Sequence, residues 1–590
     1  MAATVVVLGE GSPQVAPYLP DVPVLRAGGP GELVRVLAGA EGDVVFVDAG
    51  LGCSGSFPVA DVCRPGASRV LVADAGTAPV RTAGGLVVSA GTSAAPLTDH
   101  EALAAGCLQV AGQHREALDE VLTDLANGPS GRLWEQILSG LVMRAVPVKP
   151  VLAAPFVVGD GPVESAPDAI GMQARRCARG GDGWLSERTV RRMSRKVTPL
   201  AVRAGLAPNT VTVISLLTGA AAVACALTGT RWGYLATALL MVVSLVLDCV
   251  DGEVARWTHR YSRVGAWLDA VGDRVKEYSI WFAVGWAVDR TDFWALILTT
   301  LVLYTVKHFL DYGWSLRYPP WRPMPVPISS EPDPWQLAGA VPPSVRPPSW
   351  RRVFGMPIAE RWLLLALLLP TVGPWGAFGV LAILGAVSLA YTVLTRIRWS
   401  HRPIDARMTG ELQAITDPGP LLLALRGARA AWAPAAALGF LAMFWAAYEA
   451  DRPWLLVLGY AVALGLFALA YGRGPRGRLG WMSPAVSRAA EMLSLIAVAW
   501  SVSPQGVAVF SLLAAAAWRH YDVIYRIRSQ GVVPGCLAWL LLLGAEGRVL
   551  VAIGLLLAFG VGAWLWFALY VAVVAVVDSV WSWFRPTSGG

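Results

Sequence analysis

Charged residues are scarce in this sequence of 590 residues: they make up 15% of it, against 55% hydrophobic residues, and the mean hydropathy is +0.53. Soluble globular domains carry about 25% charged residues. Uncharged runs such as 210–228, 235–247 and 363–394 are too long and too apolar for a soluble core, because a spanning helix needs roughly 20 apolar residues. This composition excludes an ordinary soluble protein and indicates a membrane protein.

Lysine is nearly absent, and cysteine follows no pattern. Lysine occurs only at positions 149, 196, 276 and 307, so the net charge of +7 comes almost wholly from arginine. The arginines cluster between apolar runs, and no basic stripe alternates with aromatic residues. This distribution favours membrane topology over a nucleic-acid partner. The seven cysteines have no CxxC or other metal-ligand spacing, and their odd number argues against a disulfide framework.

The first 160 residues lack the long apolar runs of the remainder. Met1–Val7 has neither a basic leader nor a long apolar core, so we expect no cleavable signal peptide. Short β-type runs such as Val5–Leu8 alternate with helical stretches such as Gln113–Leu125, which predicts a small soluble α/β domain over residues 1–160. A linker rich in Gly is predicted at 161–183.

A basic amphipathic stretch and six apolar spans make up the predicted domain 184–402. The stretch at 184–203 should lie on an anionic cytoplasmic leaflet. The connections at 258–263, 313–358 and 397–407 are richer in arginine than the others, so they should face the cytoplasm. The predicted spans are 208–228, 232–257, 264–288, 292–312, 359–373 and 376–396.

A second apolar block follows a linker at 403–429. Residues 430–590 predict a C-terminal membrane domain of four to six spans, in which Val549–Trp583 is too long for one helix without strong tilt. The predicted fold is therefore mainly α: a polytopic helical membrane protein with a six-helix core, a small N-terminal α/β domain and a C-terminal helical domain. The clear C-terminal spans are 431–449, 454–471, 485–502 and 506–524.

Four aspartates lie near one short loop between the second and third spans, where the membrane tolerates charge poorly. Asp248 and Asp251 share a helix face with residues 252, 255 and 256, within an arc of roughly 140°. On the next helix Gly265, Asp269 and Asp273 share a face, because they are spaced by four residues. Such carboxylates are either protonated or neutralised by a cation.

The residue types around these aspartates suit phosphate chemistry. Ligands that are all oxygen, without His or Cys, favour Mg²⁺ or Mn²⁺, and four carboxylates could hold two such ions. Two ions suit a displacement at phosphorus, where the entering and leaving oxygens both need charge stabilisation. Gly252 and Gly265 allow a diphosphate to approach the helix backbone, and Arg256 can neutralise phosphate oxygens.

The complete pattern resembles the signature of the CDP-alcohol phosphatidyltransferases. It reads Asp-x2-Asp-Gly-x2-Ala-Arg-x8-Gly-x3-Asp-x3-Asp from Asp248 to Asp273, with every fixed position filled. The sequence Pro208–Thr212, which opens the first span, also resembles that family, and the resemblance covers about 184–400. It implies that Asp248, Asp251 and Asp269 bind metal and that Asp273 binds metal and acts as the base. The residues implied to contact the CDP moiety are Asn209, Thr212, Asp248, Gly252, Ala255, Arg256 and Gly265.

The resemblance implies transfer of a phosphatidyl or related phospho-alcohol group from a CDP-activated donor to an alcohol, with release of CMP and two Mg²⁺ or Mn²⁺ ions as cofactors. The donor would be CDP-diacylglycerol and the acceptor a small alcohol such as a polyol phosphate. An alternative donor is a soluble CDP-inositol-like compound. An alternative of another class is a non-catalytic membrane scaffold or transporter that retains the fold. Candidate acceptor-binding residues, which could equally be interface anchors, are Lys276, Arg263, Lys307 and Arg195.

The soluble domain faintly resembles the cytidylyltransferase part of bifunctional enzymes that precede such a transferase. Its loop Leu8–Pro13 lacks the basic residue that a triphosphate needs, so we expect a degenerate nucleotidyltransferase-like domain and no metal at Asp48. From the family resemblance we expect a homodimer among membrane lipids. The preference for arginine, with abundant Ala and Gly, suggests a GC-rich bacterial genome and hence the inner membrane, with the active site facing the cytoplasm.

Other charged residues within the apolar blocks predict ion pairs with a structural role. Glu360 and Arg361 could pair at the start of the fifth span. Arg488 and Glu491, with 519–522 nearby, predict either an intramembrane ion pair beside a basic helix end or a second polar cavity. For Asp578 the sequence offers no explanation.

Overall fold

A computed structural model of the chain describes most of both membrane regions and much of the soluble domain. The described residues are 4–9, 13, 24–38, 42–53, 62–63, 66–73, 77–83, 86–93, 95–97, 102–125, 132–152, 158–160, 174–175, 177–178, 184–258, 260, 262–317, 356–400, 412, 414–419, 479–530 and 543–584. The predicted spans 431–449 and 454–471 lie outside these residues.

The N-terminal residues form an α/β domain around one mixed sheet, as predicted. Its main strands run in the order β2-β1-β3-β8-β5-β9, with β1 parallel to β2 and β3, and β8 antiparallel to β3 and β5. The elements are β1 Thr4–Leu8, β2 Val24–Ala27, α1 Pro30–Leu37, β3 Val44–Asp48, β4 Leu51–Cys53, β5 Ser68–Ala73, β6 Ala78–Ala83, β7 Leu86–Ala90, β8 Ala102–Val110, α2 Arg115–Leu125, α3 Leu133–Met143, β9 Val148–Leu152 and β10 Val158–Asp160.

The sheet is apolar on both faces because both are covered. One face packs on α1, α2 and α3 through residues such as Leu33, Leu118 and Ile137. The other face contributes Val5, Val45 and neighbouring residues to a cluster with Trp257, which belongs to a membrane helix. Strands covered on both sides read as continuous apolar runs rather than as alternating ones. The α/β domain therefore packs directly against helix Arg231–Thr258 of the membrane region.

Eleven helices follow among the described residues, and most match a predicted segment. Six of these helices are long and apolar enough to cross a membrane: those beginning at residues 208, 231, 291, 358, 506 and 563. The helices are α4 Trp184–Arg188, α5 Val190–Arg203, α6 Pro208–Leu227, α7 Arg231–Thr258, α8 Arg263–Val288, α9 Thr291–Arg317, α10 Ile358–Trp399, α11 Ser483–Val502, α12 Gly506–Gln530, α13 Gly544–Phe559 and α14 Ala563–Phe584.

Helix α10 contains the predicted fifth and sixth spans and folds back on itself at Gly373. The backbone there is non-helical, with φ 76° and ψ 177°, and Pro374 follows with no N–H to donate. Tyr304 of α9 contacts both halves: its ring lies 4.5 Å from the Arg361 guanidinium, and its hydroxyl donates to the Leu381 carbonyl over 3.0 Å. In a straight helix residues 361 and 381 would be roughly 30 Å apart. The chain therefore reverses, as the two predicted spans require.

The basic helix α5 is held to α7 by a buried carboxylate. Glu253 is fully buried, and its oxygens lie 3.0 Å from Arg191 Nη1, 2.8 Å from Ser194 Oγ and 2.6 Å from Thr198 Oγ1. The sequence grouped Arg191 with a basic surface on the leaflet, whereas the structure buries it against Glu253. The opposite edge of the helix, which includes Arg192, is exposed.

The prediction for Glu360 and Arg361 is correct about their structural role and wrong about the partner. Glu360 Oε1 accepts from the backbone N–H groups of Leu185 and Ser186, at 2.7 and 3.2 Å, and so caps helix α4. Arg361 instead forms a buried ion pair with Glu277 of α8 at 2.9 Å. Each residue therefore ties α10 to a different neighbour.

The C-terminal helices contain a buried network of ion pairs. Arg488 pairs with Glu491 as predicted, but Glu491 also binds Arg548 at 2.7 Å, and Asp417 binds Arg519 and Arg548 at 2.7 and 2.9 Å. These contacts join α11, α12, α13 and the segment 414–419. The run 549–583 is divided between α13 and α14 at Gly560, where φ is 78°. The predicted length limit on one helix is thus confirmed.

We expect Arg191→Ala to destabilise the protein far more than Arg192→Ala on the same helix. Removing Arg191 leaves the fully buried Glu253 without its cation, which typically costs about 3–5 kcal/mol. An exposed substitution typically changes stability by less than about 0.5 kcal/mol. Thermal unfolding of the two variants in detergent, followed by tryptophan fluorescence, measures the difference. Equal melting temperatures would show that the contact with Glu253 contributes little.

Candidate active site

The sequence-predicted acidic face lies where α7 ends and α8 begins, with α6 packed against both. Ser262 begins α8 as its N-cap and accepts from the Gly265 N–H over 3.0 Å. Asp248 of α7 and Asp273 of α8 are brought together by one cation: Lys276 Nζ lies 2.8 Å from Asp248 Oδ1 and 3.0 Å from Asp273 Oδ1. The two predicted helix faces therefore meet.

The ammonium of Lys276 is held from several sides. Its side chain is 4% exposed, and Nζ also donates to Ser215 Oγ on α6 over 3.1 Å. The stem crosses α6 at Gly219, where a Cβ would lie 2.8 Å from the lysine Cγ and Cδ. The face of Trp362 lies 5.5 Å from Nζ, within the range of a cation–π contact. The position of Lys276 is thus set by three other helices.

Two predicted residues of α6, Thr212 and Asn209, contact α7 and α8. Thr212 of α6 donates to Asp251 Oδ2 over 2.6 Å, and Asp251 is 4% exposed. One turn earlier on α6, the side-chain oxygen of Asn209 lies against Gly265, where any Cβ would overlap it. The absence of a side chain at Gly265 therefore lets α6 approach the start of α8. Thr212 thus contacts Asp251 and Asn209 contacts Gly265, and the contact of both residues with CDP stays a prediction.

Arg256 occupies the end of the acidic face on α7 and is held by the soluble domain's linker. Its Nε donates to the Cys177 carbonyl over 2.5 Å, and its guanidinium lies over Gly252, where a Cβ would be 3.2 Å from Nη1. Burial raises the pKa of the Cys177 thiol, so this cysteine is a neutral thiol and contributes through its carbonyl. Ala255 is half-buried beside Arg256.

The aspartates suit a divalent cation by chemistry and by charge. Asp248 has Asp269, Asp273 and Lys276 as charged neighbours, so carboxylates outnumber the local ammonium. Oxygen donors of this kind are those that Mg²⁺ and Mn²⁺ prefer. Among the described residues, no three acidic, His or Cys side chains converge closely enough to hold an ion as they stand. Binding would therefore require these carboxylates to reorient around the metal.

The four acceptor candidates separate in the structure. Lys276 lies within the site. Lys307 instead pairs with Asp311 on its own helix at 2.5 Å, and Arg396 binds the same carboxylate. Arg195 is half-buried on α5, and its Nε has no hydrogen-bond partner in the described structure. The side chain of Arg263 lies outside the described residues.

Sequence reasoning missed several residues that shape the site. Glu253 stands inside the motif, yet its role depends on Arg191, which lies 62 residues earlier. Ser215 and Gly219 could have been predicted from the sequence, because their helical spacing places them on the same face of α6 as Asn209 and Thr212. Trp267 lies between two motif positions on the opposite face of α8, and its partners lie more than 250 residues later. The sequence pattern alone does not predict contacts between residues so far apart in the chain.

The fold and the site together define a polytopic membrane protein with an acidic site between two facing helices. A family model described as CDP-alcohol phosphatidyltransferase matches residues 205–312, which contain α6, α7, α8 and most of α9. This part of the chain is therefore similar to the CDP-alcohol phosphatidyltransferase family. A second model, a family of unknown function (DUF5941), matches residues 406–588. The N-terminal residues lie outside both matches, so their nucleotidyltransferase-like character stays a prediction.

Several named proteins are similar to part of this chain. The bifunctional IPC transferase and DIPP synthase of Aquifex aeolicus is 28% identical over 200 residues, 32% of this chain and 45% of that protein. The phosphatidylinositol phosphate synthase of Mycolicibacterium smegmatis is 35% identical over 123 residues, 20% and 54% of the two chains. The archaetidylinositol phosphate synthase of Aeropyrum pernix is 41% identical over 73 residues, 12% and 34%. In each case the match spans less than two thirds of the relative.

We expect Lys276→Met to make the protein's stability depend on divalent cations. Without the ammonium, Asp248 and Asp273 face each other uncompensated, and loss of one partner of a buried pair typically costs about 3–5 kcal/mol. Melting temperatures at pH 8 in EDTA and in Mn²⁺ measure the effect, with Lys196→Met, an exposed lysine on α5, as the control. Mn²⁺ should raise the melting temperature of the Lys276 variant more than that of wild type. An equal rise in all three proteins would contradict the assigned role of Lys276.

Proposed function

We propose that this protein is a CDP-alcohol phosphotransferase that transfers a phosphate-linked group from a CDP-activated donor to an alcohol and releases CMP. The observation that carries the proposal is the meeting of the two motif faces, with Lys276 between Asp248 and Asp273 and Thr212 on Asp251. A non-catalytic scaffold or transporter would have no need for aspartate at all four acidic positions of the motif. The family match to residues 205–312 supports the same reaction.

The chain's own residues supply positioning, charge and a base. Divalent cations such as Mg²⁺ or Mn²⁺, when bound by Asp248, Asp251, Asp269 and Asp273, would stabilise the charge on the diphosphate and on departing CMP. Asn209, Thr212, Gly252, Ala255 and Arg256 line the CDP side of the site.

Asp273 accepts the proton of the acceptor hydroxyl as the new bond forms. The hydroxyl oxygen attacks the phosphorus that carries the donor's alcohol, and the bond from that phosphorus to the CMP oxygen breaks. Lys276 Nζ lies 3.0 Å from Asp273 Oδ1 and holds that carboxylate in position. The protons and charges balance, because the acceptor's proton moves to Asp273 and CMP leaves with the bonding pair.

For the substrates we propose CDP-diacylglycerol as donor and a polyol phosphate, inositol phosphate first, as acceptor. Two relatives are named as synthases of inositol phosphate lipids. The bifunctional relative supports the second candidate donor, a soluble CDP-alcohol of the CDP-inositol type. An acceptor phosphate needs a cation near Asp273, and Lys276 is the candidate that lies there. The loop between α7 and α8 would place this chemistry at the cytoplasmic face of the inner membrane, in a homodimer surrounded by lipid.

We expect Asp273→Asn to lower the rate of CMP release by about 10²- to 10⁴-fold, the usual contribution of a positioned general base. The matched control is Asp292→Asn, an exposed aspartate on the next helix, which should keep the wild-type rate. The assay supplies CDP-diacylglycerol or CDP-inositol, Mg²⁺, Mn²⁺ or EDTA, and a panel of inositol phosphate, glycerol phosphate, inositol and serine.

Release that depends on one alcohol, on metal and on Asp273 supports the transferase and identifies its acceptor. Release with CDP-inositol alone would replace the proposed donor. If folded wild-type protein releases no CMP with any pair of donor and acceptor, the result favours the hypothesis of a non-catalytic membrane protein.

A further inference from the structure

The back of helix α8 is covered by the C-terminal region, which matches the family of unknown function. Asp269 and Asp273 lie on one side of α8, whereas Trp267 and Val271 are about 120–160° away by the advance of 100° per residue. Val271 and Trp267 pack with Trp518 of α12 and Ala575 of α14. Arg274 lies 4.4 Å from the ring of Tyr521, also on α12. Consecutive turns of helix α8 thus pack against the C-terminal region.

The contact contains a polar anchor as well as apolar packing. The Trp267 indole Nε1 lies 3.2 Å from Asp522 Oδ1 and 2.9 Å from Ser579 Oγ. Ser579 in turn donates to Asp522 Oδ1 over 2.6 Å. The carboxylate of Asp522 is paired with Arg526 at 2.9 Å, and Arg526 pairs with Asp578 at 2.7 Å. Asp578, which the sequence left unexplained, thus completes a chain of contacts that ends on α8.

This anchor restricts how α8 can move. Apolar packing alone tolerates small rotation and sliding of a helix, because it has no preferred direction. A hydrogen bond weakens steeply when its angle departs from linear. Asp522 is 1% exposed and Ser579 is fully buried, so no water can replace the indole N–H. Rotation of α8 would therefore leave a buried carboxylate without one of its donors.

We propose that the C-terminal region is a positioning scaffold for the catalytic helix, and that Trp267, Asp522 and Ser579 are positioning residues that set the rotation of Asp269 and Asp273. The inference rests on the proposed function. The CDP side of the site lies mainly on α6 and α7, which this anchor does not touch. Loss of the anchor should therefore slow the chemical step and leave donor binding nearly unchanged.

The test compares Trp267→Phe with Trp286→Phe in the full-length protein. Both tryptophans lie on α8, but Trp286 is 54% exposed and lies near the other end of the helix. Phenylalanine keeps an aromatic ring and removes the indole N–H. We expect Trp267→Phe to lower kcat for CMP release by tenfold to about a hundredfold, with the donor KM within about twofold of wild type, because misplacement by about 1 Å can cost 10²-fold in rate.

A second variant and a measurement without substrate keep the test independent of turnover. Ser579→Ala should reduce kcat in the same way, and the double variant should be no slower than Trp267→Phe, because both act through one contact. Hydrogen–deuterium exchange of the backbone amides of 265–275 should be faster in Trp267→Phe than in Trp286→Phe.

The inference is overturned if Trp267→Phe matches Trp286→Phe in kcat and exchange. It is equally overturned if KM rises in step with the fall in kcat, or if the loss of rate equals a loss of folded protein. Wild-type protein that releases no CMP would refute the proposed function instead, and the exchange comparison would still decide whether the C-terminal region holds α8.

Discussion

Charge compensation inside the membrane is the constraint on which this structure depends. A carboxylate removed from water needs a cation or several donors, since the desolvation cost of an isolated charge is several kcal/mol. In the described structure the compensating partner repeatedly comes from another helix. Glu253 of α7 binds Arg191 of α5, Glu277 of α8 binds Arg361 of α10, and Asp248 of α7 binds Lys276 of α8. Each ion pair therefore also acts as a link between helices, which apolar surfaces facing lipid cannot provide.

The candidate active site differs from these links in the balance of its charges. In the C-terminal network the carboxylates of Asp417 and Glu491 are surrounded by arginines, and the pairs close on one another. At the junction of α7 and α8, Asp248 and Asp273 share Lys276, and Asp269 is a further charged neighbour of Asp248. The remaining negative charge is what a divalent cation or a substrate-bound cation would neutralise. The proposed chemistry thus lies where carboxylates outnumber the nearby ammonium, whereas the C-terminal network serves packing.

Helical periodicity predicted the acidic site because all of its parts lie on two adjacent helices. Spacings of three and four residues fix which side chains share a face, and the short loop at 258–263 requires the faces to meet. The α/β domain, the reversal near Gly373 and the division of 549–583 followed equally from local pattern. Contacts between residues far apart in the sequence did not follow from local pattern. Arg191 was assigned to the leaflet and Glu360 to Arg361, because the sequence does not show which buried charge lies opposite.

The catalytic helices are held from two sides by regions outside the family domain. The linker of the soluble domain binds the end of α7 through the Cys177 carbonyl and Arg256, and Trp257 inserts beside the sheet. The C-terminal region binds the start of α8 through Trp267. These two attachments lie on either side of the loop that joins the helices. Because the distance between the aspartates depends on how α7 and α8 lie relative to each other, any displacement of either flanking region reaches the site directly. The two attachments therefore restrain the relative orientation of α7 and α8, on which the proposed transfer reaction depends.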